Sequence, residues 1–355
     1  MTGNSLNIPA DEIWEYGIEG MPAPSVNKPV KNAALKKTVF IVTILLAVSL
    51  SLYFGIRSVS RDTFEYEQTE NGVMLSHFSN TGDIKELEID CFAEVIYEDG
   101  KAVMKYDEEK PITEIGDYAL NCDEVVESIH IGKSVKNISS VSFYTCKALK
   151  KISVDENNAY YCDIDGVLYN KDCTELICCP VKHSLYTAEL KGYENIPDEE
   201  SDIYEKYSED VLSFTVPESV KTIGALAFNY TDIVTLYLPE GLENTETMAF
   251  FKAGKLKNIY SYSGTADNSH SSFPSTLENI GSDAFSYTSS LEYVYIPMSV
   301  KSIGHHAFWD SAIKKVFVEA DEEAFSDVET GTHWLPQTTN SLINKSAEIE
   351  YGAKF

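Results

Sequence analysis

One phrase returns along this chain at a fixed spacing, and that spacing restricts the fold more than any other feature. Ala119-Leu120 and Ser142-Phe143 lie 23 residues apart, Ala227-Phe228 and Ala249-Phe250 22, and Ala284-Phe285 and Ala307-Phe308 23. Between the last two copies runs Leu291-Glu292-Tyr293-Val294-Tyr295-Ile296-Pro297, then Ile303-Gly304. A unit of this length cannot bury its own apolar face. Copies must stack, each covering the next. The spacing predicts an array rather than a domain built around one centre.

Each unit has two limbs. The first is a short alternating run, the pattern of a strand with one face buried. It reads Val126–Ile131, Leu149–Val154, Ile233–Leu238, Leu256–Ser261, Leu291–Ile296 and Ile313–Val318. Pro239 and Pro297 end two of these runs, as expected where a strand gives way to a turn. The second limb is Ile-Gly-x-x-Ala-Phe. Its Gly is expected to permit a tight bend, its Ala to let coils approach, and its Phe to fill the centre. Residues 62–110 read as short strands with turns at Asn71-Gly72 and Glu98-Asp99-Gly100-Lys101. The period lapses between Asn157 and Glu209, where Asp163–Asp172 reads as a hairpin and 192–210 as an acidic loop insertion. A second, Ser-rich insertion is expected at 261–272, and 326–355 as a closing cap or tail.

The N-terminal part has another character. Residues 1–37 are rich in Pro, Asn and Gly and read as a disordered segment. Residues 38–56 carry no charge. As a helix they would span about 28 Å, close to the thickness of a bilayer core. Lys28, Lys31, Lys36 and Lys37 precede them, while Arg57 and Arg61 are soon offset by Asp62, Glu65 and Glu67. This predicts a single-pass transmembrane helix in the plasma membrane, N-terminus cytoplasmic and repeats extracellular. A cleaved signal peptide fits less well, because Ala47-Val48-Ser49 lies inside the apolar run.

The chain carries a formal net charge of -28. Residues 1–57 hold five basic against four acidic side chains, so residues 58–355 carry -29. A nucleic acid would be repelled, so none is expected as a partner. The balance favours solubility, cation binding or a basic partner. All seven cysteines lie between Cys91 and Cys179. Cys146 reads as a small buried filler. Cys162, Cys173, Cys178 and Cys179 with His183 match no zinc template, whereas a disulfide among the four would suit an oxidising compartment. Asp163-Ile164-Asp165-Gly166 lacks the further acidic ligands of a calcium loop and reads as a turn. The sequence offers no nucleophile elbow, phosphate loop or zinc-protease phrase. No enzyme activity, cofactor or metal is expected.

The repeat resembles the BspA-like subclass of leucine-rich repeat. The match is carried by Ile223–Phe228, Ile280–Phe285 and Ile303–Phe308, by Val216-Pro-Glu-Ser-Val220 and Ile296-Pro-Met-Ser-Val300, and by Asp165–Asp172. It covers about 64–325, placing the array at 62–325. Departures at Asn244-Thr245-Glu246-Thr247 and Ile138-Ser139, where the Gly is missing, are expected to leave those coils slightly irregular. The resemblance implies a β-rich solenoid of 22–23-residue coils with a parallel sheet on one face. It also implies a surface protein serving in adhesion or protein binding.

In each strand run, the residue between the last two inward positions faces away from the core. Coil by coil it is His130, Ser153, Tyr237, Tyr260, Tyr295 and Phe317, with Tyr293 pointing the same way as Tyr295. With coils about 4.8 Å apart, the aromatic members would form a ladder on the sheet face. Either the rings merely brace the sheet or they dock a protein or glycan outside the cell. The leading expectation is therefore a membrane-anchored binding or adhesion protein. The alternative is an envelope component that self-associates through its array. A hydrolase sited in 192–210 is weaker, since that loop contains no His.

Overall fold

The chain divides into two units, Met1–Arg61 and Asp62–Phe355. The computed structural model describes residues 63–79, 84–98, 101–121, 125–191, 212–262, 272–336 and 347–354. The expected segments at 1–37 and 38–56, the insertion at 192–210 and residues 263–271 of the second expected insertion lie outside the described residues. Among the described residues, no helix is long and apolar enough to cross a membrane.

The alternating runs form parallel strands in register with their copies. Ser128–Ile131 lies between Glu86–Ile89 and Lys151–Val154, so that Ile129 faces both Leu87 and Ile152. Thr235–Pro239 lies between Ser213–Thr215 and Asn258–Tyr262, and Lys315–Val318 between Tyr293–Ile296 and Glu348–Tyr351. Their inward residues, such as Ile131, Leu236, Leu238 and Val316, are fully buried. These strands make three separate three-stranded sheets rather than one. At the first break Ile152 N–H donates to Gly166 O of the hairpin, and the second lies beside Tyr260. Ser272 N–H donates to Ile259 O and Phe273 N–H to Tyr295 O. The chain re-enters from its insertion between two long strands and takes up bonds they would otherwise exchange.

The continuous sheet belongs to the other limb. Its eight strands begin with the hairpin Tyr161–Ile164 and Val167–Asn170, followed by Glu175–Cys178. The two-residue strands Thr222–Ile223, Asn244–Thr245, Asn279–Ile280, Ser302–Ile303 and Glu329–Thr330 complete it. Gly serves here for close approach rather than for a bend. A Cβ on Gly281 would lie 2.4 Å from the Glu246 carbonyl carbon, and one on Gly304 2.3 Å from the Ser282 nitrogen. Where Glu246 replaces Gly, its N–H still donates to Ile223 O, at 2.9 Å against 2.7 Å for Gly281 and Gly304 to their partners. The coil expected to be irregular keeps its register through Thr245, which pairs with both Ile223 and Ile280.

A third ladder runs through the Ala-Phe turns. Phe228 N–H donates to Ala249 O, Phe250 to Ala284 O and Phe285 to Ala307 O, all at 2.7 Å. Flanking residues Leu226, Tyr230, Met248, Lys252, Asp283 and Tyr287 take positive φ of 53–62° without being glycine. Left-handed backbone costs an L-residue about 1–2 kcal/mol. Here it aims alternate N–H groups at the next coil, as in Leu226 to Thr247 O and Tyr230 to Phe251 O.

Phe228, Phe250, Phe285 and Phe308 stack inside this ladder at centroid spacings of 5.1, 4.6 and 5.4 Å, each at most 1% exposed. Trp334 meets Phe308 edge-on and also packs on Phe325 of the short helix Glu322–Phe325, capped by Asp321. Strand pairing thus runs on past 325, through Glu329–Thr330 and Glu348–Tyr351. The core forms two clusters that meet at the hairpin. Val167 and Tyr169 belong to the C-terminal cluster, Leu168 and Cys178 to the N-terminal one. The helix His183–Leu190, unforeseen in the sequence, covers this joint, with His183 and Ala188 buried.

Candidate functional site

The outward residues of the long strands gather where alternation puts them. Tyr237 and Tyr260 are register partners with ring centroids 5.6 Å apart and planes at 30°. Both are half-buried. Tyr295 pairs in register with Phe317, and Tyr293 with Lys315. Tyr293 is 47% exposed, and Met298 beyond the same strand 65%. The expected single ladder is therefore two groups, Tyr237 with Tyr260 and Tyr293 with Tyr295 and Phe317. The segment entering at Ser272-Phe273 stands between their strands. In the N-terminal half the same position holds a polar pair, His130 Nδ1 and Ser153 Oγ at 3.0 Å.

Carboxylates border these rings. Glu319 accepts from Met298 N–H at 2.9 Å. Burial, and then the Glu319 charge, push the Tyr295 hydroxyl up to about 12, so it stays a hydrogen-bond donor at neutral pH. Glu240 accepts from Ser261 and from Ser275 Oγ at 2.7 Å. Lys315 lies 4.9 Å over the Phe317 ring and pairs with Glu350 at 2.6 Å. Lys315 thus occupies the Phe317 end, while Tyr237, Tyr260 and Tyr295 with Glu240 and Glu319 combine π-surfaces with negative charge, a combination that takes ammonium and guanidinium groups.

A second aromatic row lies on the Ala-Phe turns, and sequence reasoning missed it. Tyr118 meets Tyr144 edge-on at 6.2 Å, and Tyr144 meets Tyr230 likewise. Lys252 Nζ donates to Tyr230 Oη at 2.8 Å and sits within 5.1 Å of the Tyr230 and Phe251 ring centres and 5.7 Å of Tyr287. The available signal was the second residue after each Phe: Tyr230, Lys252, Tyr287, Asp310. This row already holds a cation from its own chain, so it braces the turns. Further along, His306 stacks on His333 and packs on Trp309, while His305 Nδ1 accepts from Thr332 N–H at 2.9 Å. The pair His305-His306 is thus taken up in coil-to-coil contacts.

The interruption also creates a groove of about 330 Å³ lined by Lys136, Tyr160, Tyr161, Glu175 and Gly224. Tyr161 Oη bridges it, accepting from Ile138 N–H at 3.0 Å and donating to Lys136 O at 3.2 Å.

The cysteines and histidine weighed as a metal set are not brought together. Cys178 and Cys179 enter different core clusters, and His183 Nε2 bonds Asp165 O at 2.9 Å. Cys162 and Cys173 alone meet, with sulfurs 3.0 Å apart. Among the described residues no group of His, Cys, Asp and Glu is placed to hold a metal. Cys146 is 1% exposed, in keeping with a filler. Asp163–Asp165 forms the hairpin expected of it, turning at Asp165-Gly166 with φ of 49° and 81°.

A family model, the BspA type leucine rich repeat region, matches residues 71–176, 200–328 and 260–347 in six copies. Among solved structures, a leucine-rich repeat protein from Eubacterium ventriosum is 24% identical, with a TM-score of 0.42, over 63% of this chain and 52% of that one. This chain therefore spans about half the length of that relative. The pneumococcal vaccine antigen PcpA is 18% identical over 80% of this chain and 88% of its own, with a TM-score of 0.40. A leucine-rich cell surface protein from Faecalibacterium prausnitzii is 14% identical over 82% and 98%, with a TM-score of 0.32. No curated protein matches the chain.

Proposed function

This chain belongs to the BspA-type leucine-rich repeat family, and we propose that it is a surface-displayed binding module. The partner it fits is a protein segment rich in Lys or Arg. The observation that carries this reading is the aromatic face of Tyr237 with Tyr260 and Tyr293 with Tyr295, bordered by Glu240 and Glu319; Phe317 and Glu350 beside it already hold Lys315. Tyrosines bring large area at low conformational cost and dominate many binding hot spots. The carboxylates discriminate for cationic partners and speed encounter. Anchoring through 38–56, with the array outside the cell, completes the proposal. It rests on the uncharged run and its upstream lysines. Nothing in this reading calls for catalysis, a cofactor or a metal.

The test is capture of cell-surface proteins on the immobilised array, followed by affinity measurement with the purified partner. Alanine at Tyr237, Tyr260 and Tyr295 should weaken binding by at least about tenfold together while circular dichroism stays unchanged. Unaltered affinity in a folded triple variant would sink the sheet-face reading, and binding to a neutral glycan instead would move the specificity to that class. Protease shaving of intact cells checks the topology. Repeats that survive shaving but are digested after lysis would rule out outward display.

A further inference from the structure

We propose that Cys162 and Cys173 are an oxidisable pair that closes into a disulfide, tying the hairpin Tyr161–Asn170 to the turn that follows it. Their sulfurs already face each other at 3.0 Å. A disulfide bond needs about 2.05 Å, an approach of roughly 1 Å. Both partners are held by contacts that do not involve sulfur. Cys162 sits on the first hairpin strand, opposite Tyr169. Cys173 sits in the turn at a φ of 52°, fixed by its N–H to Asn170 O at 2.9 Å and by Ser219 Oγ donating to its carbonyl at 2.8 Å. The Asn170 amide in turn accepts from Thr174 and Glu175 N–H groups. The other described thiols differ. Cys91, Cys146, Cys178 and Cys179 are each at most 9% exposed, whereas Cys162 and Cys173 are half-buried and reachable.

The place gives the bond a purpose. The two core clusters meet on this hairpin, through Val167 and Tyr169 on one side and Leu168 on the other. Cys162 and Cys173 both pack against the C-terminal cluster, so a crosslink would brace the hairpin on that side of the joint, independently of what the sheet face binds.

The oxidant is a donor disulfide, R–S–S–R. Burial, with the hydrogen bond to Cys173, pushes the Cys162 thiol up to about 12, and its S–H donates to Asn170 O at 3.2 Å, so Cys162 keeps its proton until it reacts. Cys173 thiolate attacks the donor, forming Cys173–S–S–R and releasing RS⁻. Cys162, losing its proton as it reacts, then attacks the Cys173 sulfur and releases the second RS⁻. The two protein thiols are oxidised to one disulfide, and the donor is reduced to two thiols that take up the two protons.

Full-length protein is reduced, freed of reductant, treated with oxidised glutathione, alkylated and digested with trypsin. Cleavage after Lys171 separates residues 152–171 from 172–182, so the two peptides stay together only through a disulfide. Fragmentation between Thr174 and Ile177 then tells Cys173 from Cys178 and Cys179. The expected result is a 152–171 to 172–182 link through Cys173, loss of two titratable thiols, and a higher melting midpoint. C162S and C173S should each abolish the oxidant-dependent rise. The wild-type peptide map decides even if a variant fails to fold. Separate alkylation of Cys162 and Cys173 after oxidation, or a link through Cys178 or Cys179, overturns the proposal.

Discussion

Gly281 and Gly241 differ in what lies beside them. A Cβ on Gly281 would strike the Glu246 backbone at 2.4 Å, while one on Gly241 would meet only Glu218 O at 3.7 Å. Backbone cannot swing aside as a side chain can. Gly281→Ala is therefore expected to destabilise by about 1–3 kcal/mol or more. Gly241→Ala should be neutral or stabilise by about 0.4–1 kcal/mol through the unfolded chain. Denaturation midpoints of the two variants check this, and equal effects would refute it. Asp232 shows a different residue-scale effect. It is 2% exposed and accepts from the Ser184 hydroxyl. Burial pushes its carboxyl up to about 6, with Ser184 and Lys182 pulling the other way. Between about pH 4 and 6 the folded chain holds a proton that the unfolded chain has released. Its contribution is thus fully present below pH 4 and is lost as pH rises through 6, a change of about 3 kcal/mol. Asp283 is shifted to about 6 in the same direction, chiefly by burial. Melting from pH 4 to 7 should show Asp232→Asn with a flatter slope than the wild type. Identical slopes would assign the pH dependence to other groups.

The strongest element is the stacked Phe row, and Phe285 lies in its middle, 4.6 Å from Phe250 and 5.4 Å from Phe308. Removing a fully buried ring costs about 3–5 kcal/mol. Because each coil is stabilised mainly by its neighbours, Phe285→Ala should lower the urea midpoint and broaden the transition. A midpoint within error of the wild type would contradict a shared core. This row was legible in the sequence, since Ala-Phe recurs at 22–23 residues. So were the long strands, whose alternation assigns Leu236 and Leu238 inward and Tyr237 outward. The eight-stranded sheet was not. A two-residue strand such as Ser302–Ile303 is too short to carry a period. The left-handed turns were also hidden, because Leu226, Met248 and His306 occupy positions where a reader looks for Gly. The aromatic face was half legible. Alternation located its residues, but nothing local announces that Ser272-Phe273 returns between two of its strands.

At the scale of the whole molecule, charge decides between binding a partner and stacking on itself. The described array begins with Thr63–Thr69, which exposes Glu65 and Glu67, and closes with Glu348–Tyr351, which exposes Glu348 and Glu350. Strand edges are templates for pairing between copies, and acidic side chains at both ends oppose it. Residues 58–355 carry -29, so any two arrays also repel at longer range. Light scattering is therefore expected to give the monomer mass at about 0.15 M salt, where repulsion still acts over roughly 8 Å. Replacing Glu348 and Glu350 by Thr should promote concentration-dependent association. A wild-type oligomer under the same conditions would favour the self-associating envelope reading over the binding module. The same field that holds copies apart draws in a basic segment, so its association rate should fall steeply with salt while its dissociation rate changes little. A rate of association indifferent to salt would place the recognition in the rings of Tyr237, Tyr260 and Tyr295 alone.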